Sequence, residues 1–210
     1  METFCSLFST AYFPPVSYVA AMVKSDSIVI EQYETFPKQT YRNRTVIAAA
    51  NGLLSLTVPV VRTNGNHTYT KDMAICYNEN WALKHWRAIE SAYNSSPYFL
   101  YYKDEVETIL DKQYPTLIEL NISILAFIFK KLKLKKEVIL SSDYVLQIGE
   151  GSIDYRNTFT PKNKEVLQLS PYDQVFADRL GFQSDISILD LLFNLGPDTL
   201  AYLKEVAKIL

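Results

Sequence analysis

Hydrophobic positions along the chain fall first into short apolar runs and later into longer periodic stretches. Residues 4–10 (FCSLFST) form a short apolar run that predicts a buried strand. Tyr12-Phe13-Pro14-Pro15 then interrupts it. Proline suits a first helical turn, so a helix is expected over 15–24, with Tyr18, Ala21 and Met22 on its inner face. A second strand follows at 27–33 (SIVIEQY). Strand, helix and strand in so short a span predict a βαβ unit with a parallel pair.

The runs TVIAAA at 45–50 and LLSLTVPVV at 53–61 flank Asn51-Gly52. That dipeptide predicts a type I′ hairpin, because both central residues then take positive φ. A mixed sheet is therefore expected. Residues 62–69 read as a loop and 71–77 as another strand. From there the pattern switches to helices. Asn80-Trp81 opens one that reaches Tyr93, and Ser96-Pro97 caps one that reaches Lys112. Pro115 opens a long amphipathic helix that ends in Lys130, Lys131, Lys133, Lys135 and Lys136. Residues 137–141 predict a late strand, and 144–168 are irregular and polar. Ser170-Pro171 starts a helix closed by Gly181. Ser187 to Asp190 is a capping-box pattern for a helix that stops at Gly196, and Pro197-Asp198 starts the last one. The expectation is one α/β domain over 1–210. Its mixed sheet comes from the N-terminal half (βαβ unit plus hairpin) and is packed by helices, with a helical C-terminal half.

Composition narrows the classes. The chain of 210 residues is 48% hydrophobic and 21% charged, which suits a folded domain with a full core. Tyrosine is abundant, as expected of a pocket or interface lining, or of an aromatic-rich core. A net charge of −2 argues against a nucleic-acid partner. The lysine run reads as a solvated helix end, where cations complement the dipole. Cys5 and Cys76 are expected as buried, reduced thiols. The first residues lack a signal-peptide pattern, and no apolar run approaches the roughly 20 residues that span a bilayer. A cytoplasmic location with no membrane span is expected.

Portable catalytic motifs are missing: Gly149-Glu150-Gly151 is no phosphate loop, and no Cys or His pair has zinc spacing. Three segments remain as candidates. The first is 31–44, at the carboxyl end of the second strand, where open α/β sheets bind ligands. There Lys38, Arg42 and Arg44 suit an anion, and Glu31 and Glu34 suit a base or sugar hydroxyls. The plainer reading is a solvated connection with local ion pairs. The second is Trp81, His85 and Trp86, a candidate base beside tryptophan or a core-edge histidine. The third is 187–196, where Asp190 and Asn194 share a face of what is otherwise a capped core helix.

Taken together, Y-F-P-P-x-S-Y at 12–18, S-D-S-I-V-I at 25–30, K-x-x-x-R-N-R at 38–44, L-T-V-P-V at 56–60, W-x-x-x-H-W-x-x-I at 81–89, Y-x-x-x-P-Y-F at 93–99, S-S-D at 141–143 and S-I-L-D-L-L-F-N-L-G at 187–196 resemble the WbqC-like proteins. The chain departs from that family at Ala11-Tyr12, where a Gln-Pro is usual, and at Glu31 and Glu34, in place of paired aspartates. The resemblance implies a cytoplasmic bacterial protein of O-antigen-type surface-polysaccharide or amino-sugar biosynthesis. On matching positions it brings forward Lys38, Asn43, Arg44, Trp81, His85, Trp86, Ser187, Asp190 and Asn194. The expected activity is group transfer on an activated sugar. His85, Glu31 and Asp190 would be catalytic. Lys38, Asn43, Arg44, Trp81, Trp86 and Asn194 would bind a nucleotide sugar or other anionic small molecule, without a metal. The rival expectation is a scaffold with an aromatic patch from Tyr98, Phe99, Tyr101 and Tyr102. The residues specify neither a cofactor nor an oligomeric state.

Overall fold

A computed structural model describes residues 5–149, 151–161 and 167–210. Phe4 of the first expected strand, and Glu150 and residues 162–166 of the polar stretch, lie outside the described residues. The chain opens with β1 (Cys5–Ser9), α1 (Val16–Lys24) and β2 (Ser27–Glu31). The two strands pair in parallel, from Cys5 opposite Ser27 to Ser9 opposite Glu31. Helix α1 is buried on nearly every side, because α7 (Thr199–Ile209) packs on it as well. That is why Val16 to Met22 are all apolar or small, rather than apolar on one stripe.

Two short strands from the second half complete the sheet. β7 (Val138–Leu140) pairs with β2 and β8 (Ile153–Asp154) with β1, giving the parallel order β7-β2-β1-β8. The expected antiparallel pairing is present too, but as a separate ribbon of β3 (Arg44–Ala49) and β4 (Gly52–Thr57). Its turn differs from the expected type. Ala49 faces Gly52, so Ala50 and Asn51 are the central residues, and Gly52 alone takes a positive φ, of 118°. Pro59 lacks an N–H and ends the ribbon, so the expected strand 53–61 resumes only as β5 (Val60–Val61). It pairs with β6 (Ala74–Ile75), all that forms of the strand expected over 71–77.

The helices follow their capping signals. α2 (Trp81–Tyr93) starts where the Asn80 side chain accepts from the Leu83 N–H. α3 (Phe99–Asp111) and α4 (Leu117–Lys131) follow, the latter capped by Thr116. Of the helix expected from Ser170, only α5 (Ala177–Leu180) forms, because Tyr172 and Gln174 turn their side chains toward Asp190 instead. α6 (Ile188–Leu195) begins at Ser187 without the reciprocal half of a capping box. The Ser187 N–H goes to the Val46 carbonyl, and the Asp190 side chain turns inward. Cys5 and Cys76 are free thiols, but half-buried rather than buried.

A close approach lies where α6 ends. Gly196 has a φ of 52°, and a Cβ there would sit 2.4 Å from the Tyr98 ring. Gly196→Ala is therefore expected to destabilise by at least about 2 kcal/mol, from left-handed strain plus overpacking. Urea denaturation measures this, and an unchanged midpoint would refute the contact.

Candidate active site

All four parallel strands point their carboxyl ends at one rim of the sheet. On the β2 side the rim is filled by side chains that satisfy one another. Glu31 is fully buried. Its carboxylate accepts from the Tyr33 N–H at 2.8 Å, the Ser141 hydroxyl at 2.9 Å and the Val145 N–H at 2.8 Å. Arg156 stands 3.6 Å away and forks onto Asp154. Glu34 accepts from Nε and Nη2 of Arg42 at 2.6 Å each, in a buried pair. Glu31, expected as a base, thus has both carboxylate oxygens engaged by fixed donors.

The β1 side is different. The turn from β1 into α1 carries Phe13 at a positive φ of 37°, although both Tyr12 and Phe13 are fully buried. Residues from two distant segments hold it. The Thr45 hydroxyl donates to the Phe13 carbonyl at 2.7 Å, and the Ser187 hydroxyl donates to the same oxygen at 3.1 Å. The Ile188 N–H donates to Pro14, and the Val16 N–H to Ile186. This clamp brings Asp185 to the first turn of α1. Its carboxylate accepts from the Ser17 N–H and the Ser17 hydroxyl, each at 2.7 Å. An acid at a helix N-terminus suits both the free N–H groups and the dipole.

Beside this pair opens a cleft of about 380 Å³. Ser17, Tyr41, Thr158, Thr160, Ser184 and Asp185 supply its polar lining, and Pro15, Val46, Phe159 and Ile186 are among its apolar walls. Its described lining contains no lysine or arginine. Burial raises the Asp185 carboxyl to about 6, against the opposing pull of the two Ser17 donors. Burial also raises the Tyr41 phenol to about 12, with the Asp185 charge adding to it. Asp185 itself sits at a positive φ of 52°, a backbone strain of the kind that gathers at functional sites.

The sequence candidates divide among separate places. Trp81, His85 and Tyr12 meet in the core, where the Tyr12 hydroxyl lies 2.9 Å from His85 Nδ1 and the Trp81 ring packs edge-on. Burial depresses the His85 imidazole to about 4, and a hydrogen bond with the Thr57 carbonyl opposes that only in part. Trp86 is buried and stacks on Phe99. Asp190 is buried in α6. Its Oδ1 accepts from Tyr172 at 2.7 Å and Gln174 at 2.9 Å, and burial raises its pKa. Asn194 donates to the Asp190 carbonyl. Asn43 donates to the Val58 carbonyl, Arg44 contacts Thr57, and Lys38 is exposed. None of these nine lines the cleft, although Tyr41, within the expected 31–44 segment, does. Sequence reasoning missed Asp185 and the role of Ser17. Ser17 lies inside the Y-F-P-P-x-S-Y motif, but nothing local marks Asp185, which is 168 residues away in sequence. Among the described residues no group of acidic, His or Cys side chains is placed to hold a metal, and no helix is long and apolar enough to cross a membrane.

The depressed histidine has a measurable consequence. His85 stays neutral in the fold to about pH 4, whereas the unfolded chain protonates near 6.5. Its contribution is present above 6.5 and is lost as pH falls toward 4. The Tm advantage of the wild type over His85→Gln is expected to shrink on acidification through that window. A pH-independent difference would contradict the buried, neutral ring.

The family model described as the WbqC-like protein family matches residues 10–153. An uncharacterized protein of Mycobacterium tuberculosis, Rv1507c, is 27% identical over 228 residues, covering 95% of this chain and 98% of that protein. No solved structure matches. The matched span runs from the β1–α1 turn through β2, the ribbon and α2 to the start of β8, and the chain belongs to the WbqC-like protein family.

Proposed function

We propose that the protein is an enzyme of bacterial surface-polysaccharide or amino-sugar biosynthesis, working in the cytoplasm on an activated sugar by group transfer. The observation that carries this reading is the Asp185 carboxylate, which faces a hydroxyl-lined cleft with no lysine or arginine among its described lining residues. A sugar ring asks for such a site, with acceptors and hydroxyls for its polar edge and Phe159 or Tyr41 for its apolar face. With a pKa near 6, Asp185 is ionised at neutral pH yet still basic enough to take a proton. It removes the proton from a sugar amine or hydroxyl as that atom attacks the transferred group, and the leaving group departs with its bonding electrons. Lys38 and Arg44 flank Tyr41 in the chain and are the cations assigned to the anionic part of the donor. Glu31, His85 and Asp190 keep the rim and core in place under this reading, rather than touching substrate.

A non-catalytic scaffold role in a glycan-assembly complex is the second reading. Leu100 and Tyr101 favour it, being 71% and 74% exposed side by side on α3. Phe99 of the expected patch is buried and takes no part.

A thermal-shift screen with amino sugars and nucleotide sugars separates the two. The enzyme reading expects stabilisation of the wild type and none of Asp185→Asn, and an unresponsive wild type would favour the scaffold. The variant carries its own control. A carboxyl raised from 3.8 to about 6 by folding contributes stability below 3.8 that is lost as pH rises through 6. Without ligand, the Tm of Asp185→Asn relative to wild type is therefore expected to rise with pH across that window. A constant offset would mean that Asp185 is not desolvated.

A further inference from the structure

A second concavity shares no lining residue with the Asp185 cleft. It is a trough of about 410 Å³ between α4 and the edge strand β7. Its floor is apolar, from Ile122, Leu125, Phe129, Leu134 and Val138, and lysines stand along it. Strand alternation puts Leu140 on the same face as Val138, and Ile139 and Leu140 are 45% and 39% exposed.

The way α4 ends is unusual for its sequence. The Leu134 N–H reaches back to Phe129 at 2.9 Å and the Lys133 N–H to Lys130 at 3.2 Å. This closure places its left-handed residue at 133, and there the chain has a lysine with a φ of 54°, where glycine avoids strain. The strained position turns a charge outward beside the trough.

Five lysines, 130, 131, 133, 135 and 136, crowd this corner of a chain whose net charge is −2. Lys130 and Lys131 share Glu105, and Lys136 donates to the Val23 and Ser25 carbonyls near Asp26. Glu137 is the one carboxylate in the described lining. Among the described residues, Lys133 and Lys135 have no side-chain partner, which leaves their ammonium groups for an external anion.

We propose that this face docks on an anionic bilayer surface. Lysines with long apolar stems reach the headgroups while Leu134 and Leu140 enter the interface. Charge complementarity favours this occupant over a second copy. A two-fold contact would set the lysine cluster against itself, and a three-residue edge strand offers little for sheet extension.

Co-sedimentation with phosphatidylcholine vesicles, with and without phosphatidylglycerol, tests the proposal. The protein is expected on the anionic vesicles only, and to be released by high salt. Lys133→Gly removes the charge while relieving the backbone, so it is expected to keep or raise Tm and yet weaken binding about fivefold. Lys135→Ala is expected to do the same to binding, and Leu140→Ser to weaken it further. Absent binding, equal binding to neutral vesicles, or full binding by the lysine variants would overturn the proposal. So would a concentration-dependent dimer in light scattering that Leu140→Ser abolishes, because a second copy would then own the face.

Discussion

The strained turn between β1 and α1 is the constraint on which the rest of the structure depends. A left-handed Phe13 costs on the order of 1–3 kcal/mol and does not persist unless its surroundings over-determine it. Five hydrogen bonds from outside the turn do so: Tyr12 N–H to Tyr41, Thr45 and Ser187 to Phe13, Ile188 N–H to Pro14, and Val16 N–H to Ile186. At about 1 kcal/mol net each, they outweigh the strain. They also tie the sheet, the β3–β4 ribbon and the start of α6 to one point. The cleft is a consequence of this knot, because Ser17 lies just after it and Asp185 just before Ser187.

Electrostatics then separates the two sides of the rim. Glu34 with Arg42, and Glu31 and Asp154 with Arg156, place two guanidiniums among three carboxylates in closed networks. Removing one partner of the buried Glu34–Arg42 pair would leave a charge without its counter-ion in the low dielectric, at about 3–5 kcal/mol. Among the described residues Asp185 has no such partner. Two donors from one serine hold it, and burial wins over them. Closed networks suit a scaffold, whereas a half-compensated carboxylate beside an open cleft suits chemistry.

Much of the fold was legible in the sequence, because its signals are local. The prolines at 14 and 15, the Asn80 cap and Gly181 each act within a few residues, and the elements start or stop beside them. The hairpin was legible, but its turn register was not, since Ala50 replaced Gly52 as a central residue. The short strands β7 and β8 complete the sheet from far along the chain, and three- and two-residue strands carry little pattern of their own. The site was legible only through Tyr41 and the motif that holds Ser17. His85 and Glu31 drew attention by residue type, and tertiary packing gave each a set of fixed partners instead. Asp190 is similar, an expected half of a capping box whose side chain binds Tyr172 and Gln174.

The central claim is that folding desolvates the Asp185 carboxylate and that the two Ser17 donors restrain it. Carbon-detected NMR titration of that side chain tests this most directly, in the wild type and in Ser17→Ala. The account predicts a wild-type midpoint near 6 and a higher one in the variant, which loses a donor that lowers it. A midpoint at the ordinary carboxylate value in both proteins would contradict it.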